Sequence, residues 1–181
     1  MPDAAEAYWT DLVDRFGPGN IVWDGETKIR RPDGLVPLRL IDAPQAGGAD
    51  VIIGYATRFN KAHEYKGHVD VFAVGCFART LCSGRAVRLL MHHDESKLVA
   101  TTANALELHS DDKGLAFKCR LPSTVNGTMA KMMVRRLGRA GMSVGYEIRD
   151  AETKVIEGCS VRILYDCDLV EISLVERGAV P

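Results

Sequence analysis

From Val51 onward, apolar residues recur at alternate positions or in short unbroken runs, and one later stretch switches to helical spacing. VIIGYATRF (51–59) reads as a buried strand, HVDVFAV (68–74) and AVRLLMHH (86–93) alternate, and FARTL (77–81) reads as the start of a short helix. ALELHSD, the turn DDKG and LAFKCRL form a β-hairpin pattern over 105–121. Asn126 then reads as the cap of a helix to roughly Arg139. Its predicted apolar face is Met129, Met132, Met133 and Leu137, and Gly138 and Gly141 mark its end. MSVGYEIRD, KVIEG, SVRILYD and LVEISLV (169–175) continue as strands. Many strands, one long internal helix and no βαβ rhythm predict an α+β fold, mostly β with flanking helices, arranged as an antiparallel β-barrel.

The first fifty residues follow a different pattern. Trp9, Leu12, Val13 and Phe16 lie at helical spacing over 3–16, with Asp3 and Glu6 placed like a capping box and Gly17-Pro18-Gly19 as a stop. The short β-like runs NIVW and LVPLRLI follow, and then the turn-rich loop APQAGGAD (43–50). This loop divides the chain into an accessory segment, 1–50, and a chemical domain, 51–181.

Composition narrows the function. The 181 residues carry 23 Lys+Arg against 24 Asp+Glu, which gives no electrostatic footprint for nucleic acid or an anionic membrane. The N-terminus lacks the basic and apolar regions of a secretion signal, and no apolar run reaches membrane-spanning length. Nucleic acid and membrane are therefore not expected as partners. Five cysteines without a CxxC pair read as reduced, buried thiols, and no spacing implies a metal or cofactor.

Three segments carry chemistry: LLMHHD (89–94), GMSVGY (141–146) and DLVEISLV (168–175). They offer an imidazole, a hydroxyl and a carboxylate on elements rigid enough to hold a site. Strand alternation puts His93 at the end of the apolar row Val87, Leu89 and Met91, and His92 with Arg88 and Asp94. Ser143 falls with Gly145 and Glu147, opposite Met142, Val144, Tyr146 and Ile148. Gly141 and Gly145 leave room beside the hydroxyl for a substrate backbone. Glu171 shares its face with Leu169, Ser173 and Val175, where an unpaired carboxylate would be costly and a histidine proton would offset the cost. A serine hydroxyl needs a nearby base, and an imidazole oriented by a carboxylate supplies one. Oxyanion donors are sought in the backbone from Gly141 to Ser143 or in Arg177.

Each residue also has an ordinary reading: Ser143 as a strand-start serine, His93 as a satisfied core histidine, Glu171 as a solvated strand position. A cysteine or metal hydrolase drawing on His92, His93, Cys76, Cys119 or Cys167 is a rival class. A barrel that has lost its activity and serves as a scaffold or binding module is another.

The ordered blocks GYATRFN (54–60), DVFAVGCF (70–77), LLMHHD, DDKGLAFKCRLP (111–122), GRAGMSVGY (138–146) and LVEISLV together resemble the tailed-bacteriophage prohead protease family. The resemblance implies a capsid-maturation serine protease with a fold similar to the herpesvirus assembly proteases. It maps the catalytic histidine, serine and acid onto His93, Ser143 and Glu171, with no cofactor. It further implies action within the assembling procapsid in the host cytoplasm, on scaffold or capsid-protein segments and on the protease itself, with a homo-oligomer as one form of packaging. Asp70 stands where the family usually carries Glu, and Val74-Gly75-Cys76-Phe77 where Pro-Gly-Ala-Phe is usual.

Overall fold

The computed structural model describes residues 35–36, 39–41, 50–65, 68–137, 140–156 and 158–176. The expected N-terminal helix, the 43–50 boundary loop and Arg177 lie wholly or almost wholly outside them. In chain order the elements are β1 (Leu35–Val36), β2 (Arg39–Ile41), β3 (Val51–Arg58), β4 (Ala62–Tyr65), β5 (His68–Phe72), α1 (Ala78–Cys82), β6 (Arg88–Met91), β7 (Asp94–Thr101), β8 (Leu106–Ser110), β9 (Gly114–Arg120), α2 (Val125–Leu137), β10 (Ala140–Ile156) and β11 (Cys159–Val175).

These strands make two sheets around a shared core. The larger runs β1-β10-β11-β5-β4, with β6 also on β11 and β7 on β6; the smaller runs β2-β3-β9-β8. The mostly β composition, with two helices among the described residues, fits the α+β expectation. Among the described residues the hydrogen bonding of neither sheet closes on itself. Nor is the larger sheet purely antiparallel, because β11 pairs in parallel with both β5 and β6. Side chains from both sheets meet in one apolar cluster, including Ile52, Leu115 and Phe117 from the smaller and Leu89, Leu164, Ile172 and Leu174 from the larger. Burial of these apolar faces is the main favourable term holding the layers together.

Strand lengths differ from the sequence pattern. Lys154, Val155 and Ile156 of KVIEG end β10, and SVRILYD and LVEISLV belong to one 17-residue strand, β11. Two parallel neighbours dock on β11 at separate places, β5 along 161–164 and β6 along 171–174. The segment around α1 covers the stretch between. Cys167 N–H donates to the Cys76 carbonyl at 2.8 Å, and Leu169 N–H to the buried Thr80 hydroxyl at 2.9 Å. Backbone donors that no strand reaches are thus satisfied by a short helix and its preceding turn. Nearby, buried Asp70 accepts two bonds from Arg162, at 2.8 and 2.9 Å, and one from Tyr146 at 2.5 Å. Burial, and then the bond to Asp70, pushes the Tyr146 phenol well above its ordinary pKa.

The hairpin of β8 and β9 forms as the pattern predicts. Asp111 closes its turn by accepting the N–H groups of Lys113 and Gly114, both at 2.8 Å. The helix α2 forms but turns a different face inward. Met133 is buried as expected, yet Met129 and Met132 are exposed, and Ala130 and Val134 are buried instead. The cap is Thr124, whose hydroxyl accepts the Gly127 N–H at 3.1 Å; Asn126 instead donates to the Leu98 carbonyl on β7 at 2.9 Å. Small residues set this rotation, because the helix approaches the preceding loop through Gly127. A Cβ on Gly127 would lie 2.1 Å from the Pro122 carbonyl oxygen.

That approach reverses a familiar expectation. Alanine in place of a helical glycine ordinarily stabilises by about 0.5–1 kcal/mol. Gly127→Ala is expected to destabilise instead, by about 1–3 kcal/mol as an overpacking change. Thermal unfolding checks this, and an unchanged or higher Tm would contradict the close contact.

Candidate active site

The β10–β11 ladder sorts side chains onto two faces. Ser143 lies directly opposite Ser173 and Gly145 opposite Glu171, so these four positions share one face. The alternate positions Met142, Val144, Ile172 and Leu174 belong to the core. The sequence reading of Ser143 and its neighbours therefore agrees with the structure as far as Tyr146. It fails for Leu169, which was expected beside Glu171. Between the Gly145↔Glu171 and Tyr146↔Leu169 pairs the register slips, and Val170 is left as an extra residue. This bulge resets the alternation, so Leu169 enters the core while Glu171 faces away from it.

His93 is not on a strand. β6 ends at Met91, which pairs with Asp94 of β7, and His92 and His93 form the connection with φ of 55° and 58°. Two left-handed residues in a two-residue hairpin loop are the φ pattern of a type I′ turn, a geometry favoured by Asn and Gly. Simple alternation would have sent His93 to the core side with Leu89 and Met91. The left-handed turn brings its ring to the Glu171 side, where it stays about half exposed. Non-glycine residues in this region carry strain on the order of 1–3 kcal/mol each, tolerated only where the surroundings fix them. Here His92 N–H donates to the Leu174 carbonyl at 2.9 Å, and His93 N–H to the Ser173 hydroxyl at 3.2 Å.

The acid and the imidazole meet. His93 Nδ1 lies 2.6 Å from Glu171 Oε1, while Glu171 Oε2 accepts the Ser173 hydroxyl at 2.6 Å. Glu171 is buried, and each of its oxygens has a donor. An ionised carboxylate only accepts, so this pairing puts the proton on Nδ1 and leaves Nε2 with a lone pair able to accept a proton. Ser143 stands one strand over, opposite Ser173, at the roughly 4.5–5.5 Å Cα spacing of a cross-strand pair. Among the described residues no hydrogen bond joins Ser143 to His93. Two of the three candidates are in contact, and the third faces them from the neighbouring strand.

Gly145 has a role the sequence reading missed. The space above it is filled by the Glu171 side chain: a Cβ at position 145 would lie 2.4 Å from Oε1 and 3.0 Å from Cγ. The missing side chain makes room for the Glu171 carboxylate, not for a substrate backbone. Ser173 was also passed over. Its signal was the Glu-x-Ser spacing, which places two side chains on one strand face.

Other candidates fall elsewhere. Asp94, the acid adjacent to His93 in sequence, is held down to about 2 by hydrogen bonds from Ser96 and Lys97 and does not reach the ring. His92 is exposed, and its ring does not contact Glu171. Cys76, Cys119 and Cys167 are buried. Burial pushes the Cys119 thiol up to about 12 and that of Cys167 up to about 11, and raises Cys76 further. Thiols so shifted remain protonated near neutral pH and make poor nucleophiles. No group of three or more His, Cys, Asp or Glu among the described residues is placed to hold a metal.

A mostly β fold presenting a histidine–carboxylate pair beside a strand serine has the parts of a serine hydrolase. The family model of the caudovirus prohead serine protease matches residues 38–181, and the chain belongs to that family. It is thus a serine protease, a hydrolase of bacteriophage capsid maturation. No curated protein and no solved structure matches it.

Two outcomes follow from the geometry. Gly145→Ala is expected to fold but to lose at least roughly tenfold in peptidase activity, because a displaced carboxylate no longer orients the imidazole. Wild-type activity in that variant would show that Glu171 is not needed where it sits. Alkylation of native protein at neutral pH is expected to modify the exposed Cys82 and Cys159, spare the other three thiols, and leave activity intact. Peptide mapping beside an activity assay reads both.

Proposed function

We propose that Ser143, His93 and Glu171 act as nucleophile, general base and orienting acid in peptide-bond hydrolysis. The observation that carries this is the 2.6 Å contact between His93 Nδ1 and Glu171 Oε1, on the sheet face that also presents Ser143. In this reading His93 Nε2 removes the Ser143 proton as Oγ attacks the scissile carbonyl. The imidazolium, stabilised by Glu171, then protonates the departing amine. A water deprotonated by the same Nε2 hydrolyses the acyl-enzyme and restores the serine. Closing the distance between Ser143 and His93 is assigned to substrate binding, since catalytic hydrogen bonds commonly tighten in the complex.

Substrates are capsid or scaffold-protein segments within the assembling prohead, with the protease's own chain among them. An extended segment fits the outer edge of β10. β1 pairs with it only at Ala140 and Gly141, and from Met142 on no partner strand occupies it among the described residues. Backbone N–H groups on that edge near Ser143 are the oxyanion donors in this scheme. Residues 1–50 form the accessory segment, tied to the catalytic domain through β1 on β10 and β2 on β3. The two sheets sharing one core are taken as the parts of a barrel of herpesvirus assembly protease type.

Mass spectrometry of purified protein with its cognate capsid protein tests the assignment. Ser143→Ala and His93→Ala are expected to lose roughly four to six decades in kcat, Glu171→Gln somewhat less, and His92→Ala little. Wild-type cleavage by Ser143→Ala would end the proposal, and so would loss of cleavage in His92→Ala with retention in His93→Ala.

A further inference from the structure

We infer that Ser173 is the positioning residue of this site, setting the geometry between His93 and Glu171; the inference rests on the roles proposed for those two residues and Ser143. Ser173 is fully buried, and its single hydroxyl joins both partners of the contact. It donates to Glu171 Oε2 at 2.6 Å and accepts the His93 N–H at 3.2 Å. Together with the 2.6 Å bond from His93 Nδ1 to Oε1, these bonds form a closed ring through the histidine backbone, the serine hydroxyl, the carboxylate and the imidazole.

Each bond in the ring answers a separate freedom. The bond to Oε2 fixes the rotation of the carboxylate about its terminal torsion, which is otherwise broad and soft. The bond from His93 N–H anchors the left-handed turn, so the ring is presented from a backbone that cannot relax away. A hydroxyl supplies one donor and further acceptor capacity, and both functions are used here. Alanine would remove them together, and in a fully buried position water cannot readily replace them. Leu90 of β6 is the parallel neighbour of Ser173, so the same residue also lies where the strand bearing the histidine turn meets β11.

The test uses the full chain and a fluorophosphonate probe, with Ser143 labelling read as a maximal inactivation rate and a half-saturating concentration. Ser173→Ala is expected to lower the maximal rate roughly 10- to 100-fold, the loss of a hydrogen bond to a charged group, and to leave half-saturation unchanged. Ser173→Thr, which keeps the hydroxyl on a strand-compatible side chain, is expected to recover most of the rate. In the Ser143→Ala background, the downfield proton resonance of His93 Nδ1–H should be lost with Ser173→Ala and retained with Ser173→Thr. A folded Ser173→Ala with the wild-type labelling rate and resonance would overturn the inference. If Ser173→Ala does not fold, Ser173→Cys decides, because it keeps the volume with a weak donor; a wild-type rate there would also overturn it. Loss of labelling in His93→Ala alongside a wild-type rate in Ser173→Ala removes only the role of Ser173. Wild-type labelling in His93→Ala removes the underlying assignment of the site.

Discussion

A carboxylate on a buried stretch of β-strand must be given donors, and much of the architecture around the site serves that requirement at Glu171. One oxygen is met by His93 and the other by Ser173, while Gly145 leaves empty the volume the side chain occupies. A bulge at Val170 makes Glu171 face away from the core, and a strained two-histidine turn brings the imidazole to the same side. Unpaired buried charge is among the costliest defects a fold can carry, and here both carboxylate oxygens have donors.

The order of the chain explains why β11 is central. It pairs with β10 on one side and on the other receives β5 and β6 at different heights, with α1 covering the interval. Every residue of the proposed site is on this strand, directly across from it, or in the turn that follows its neighbour β6. The proposed site thus rests on the most heavily paired strand among the described residues, where displacements of an ångström are resisted by two ladders.

Much of this was legible in the sequence, and the misses have common physical causes. Alternation correctly separated Ser143 and Gly145 from Met142 and Val144, because β10 is regular up to that point. Alternation failed at His93, where left-handed residues end the strand, and at Leu169, where a bulge inserts one position. Neither departure has a local sign as strong as Asn-Gly or an isolated strand glycine. The helix α2 was found from its spacing, but its buried face was misread because Met129 and Met132 outweigh Gly127 and Ala130 in hydrophobicity. Close approach through the small residues determined the rotation. For Gly145 the sequence revealed a missing side chain without revealing what fills the gap.

The order His93, Ser143, Glu171 along the chain has a temporal consequence. A growing polypeptide makes the histidine turn first, the serine strand next, and β11, the long strand that pairs with the neighbours of both, after them. Between the synthesis of Ser143 and that of Glu171 the chain therefore holds the proposed hydroxyl without the carboxylate that contacts His93. Pairing of β11 with both β10 and β6 is what brings the parts of the proposed site together.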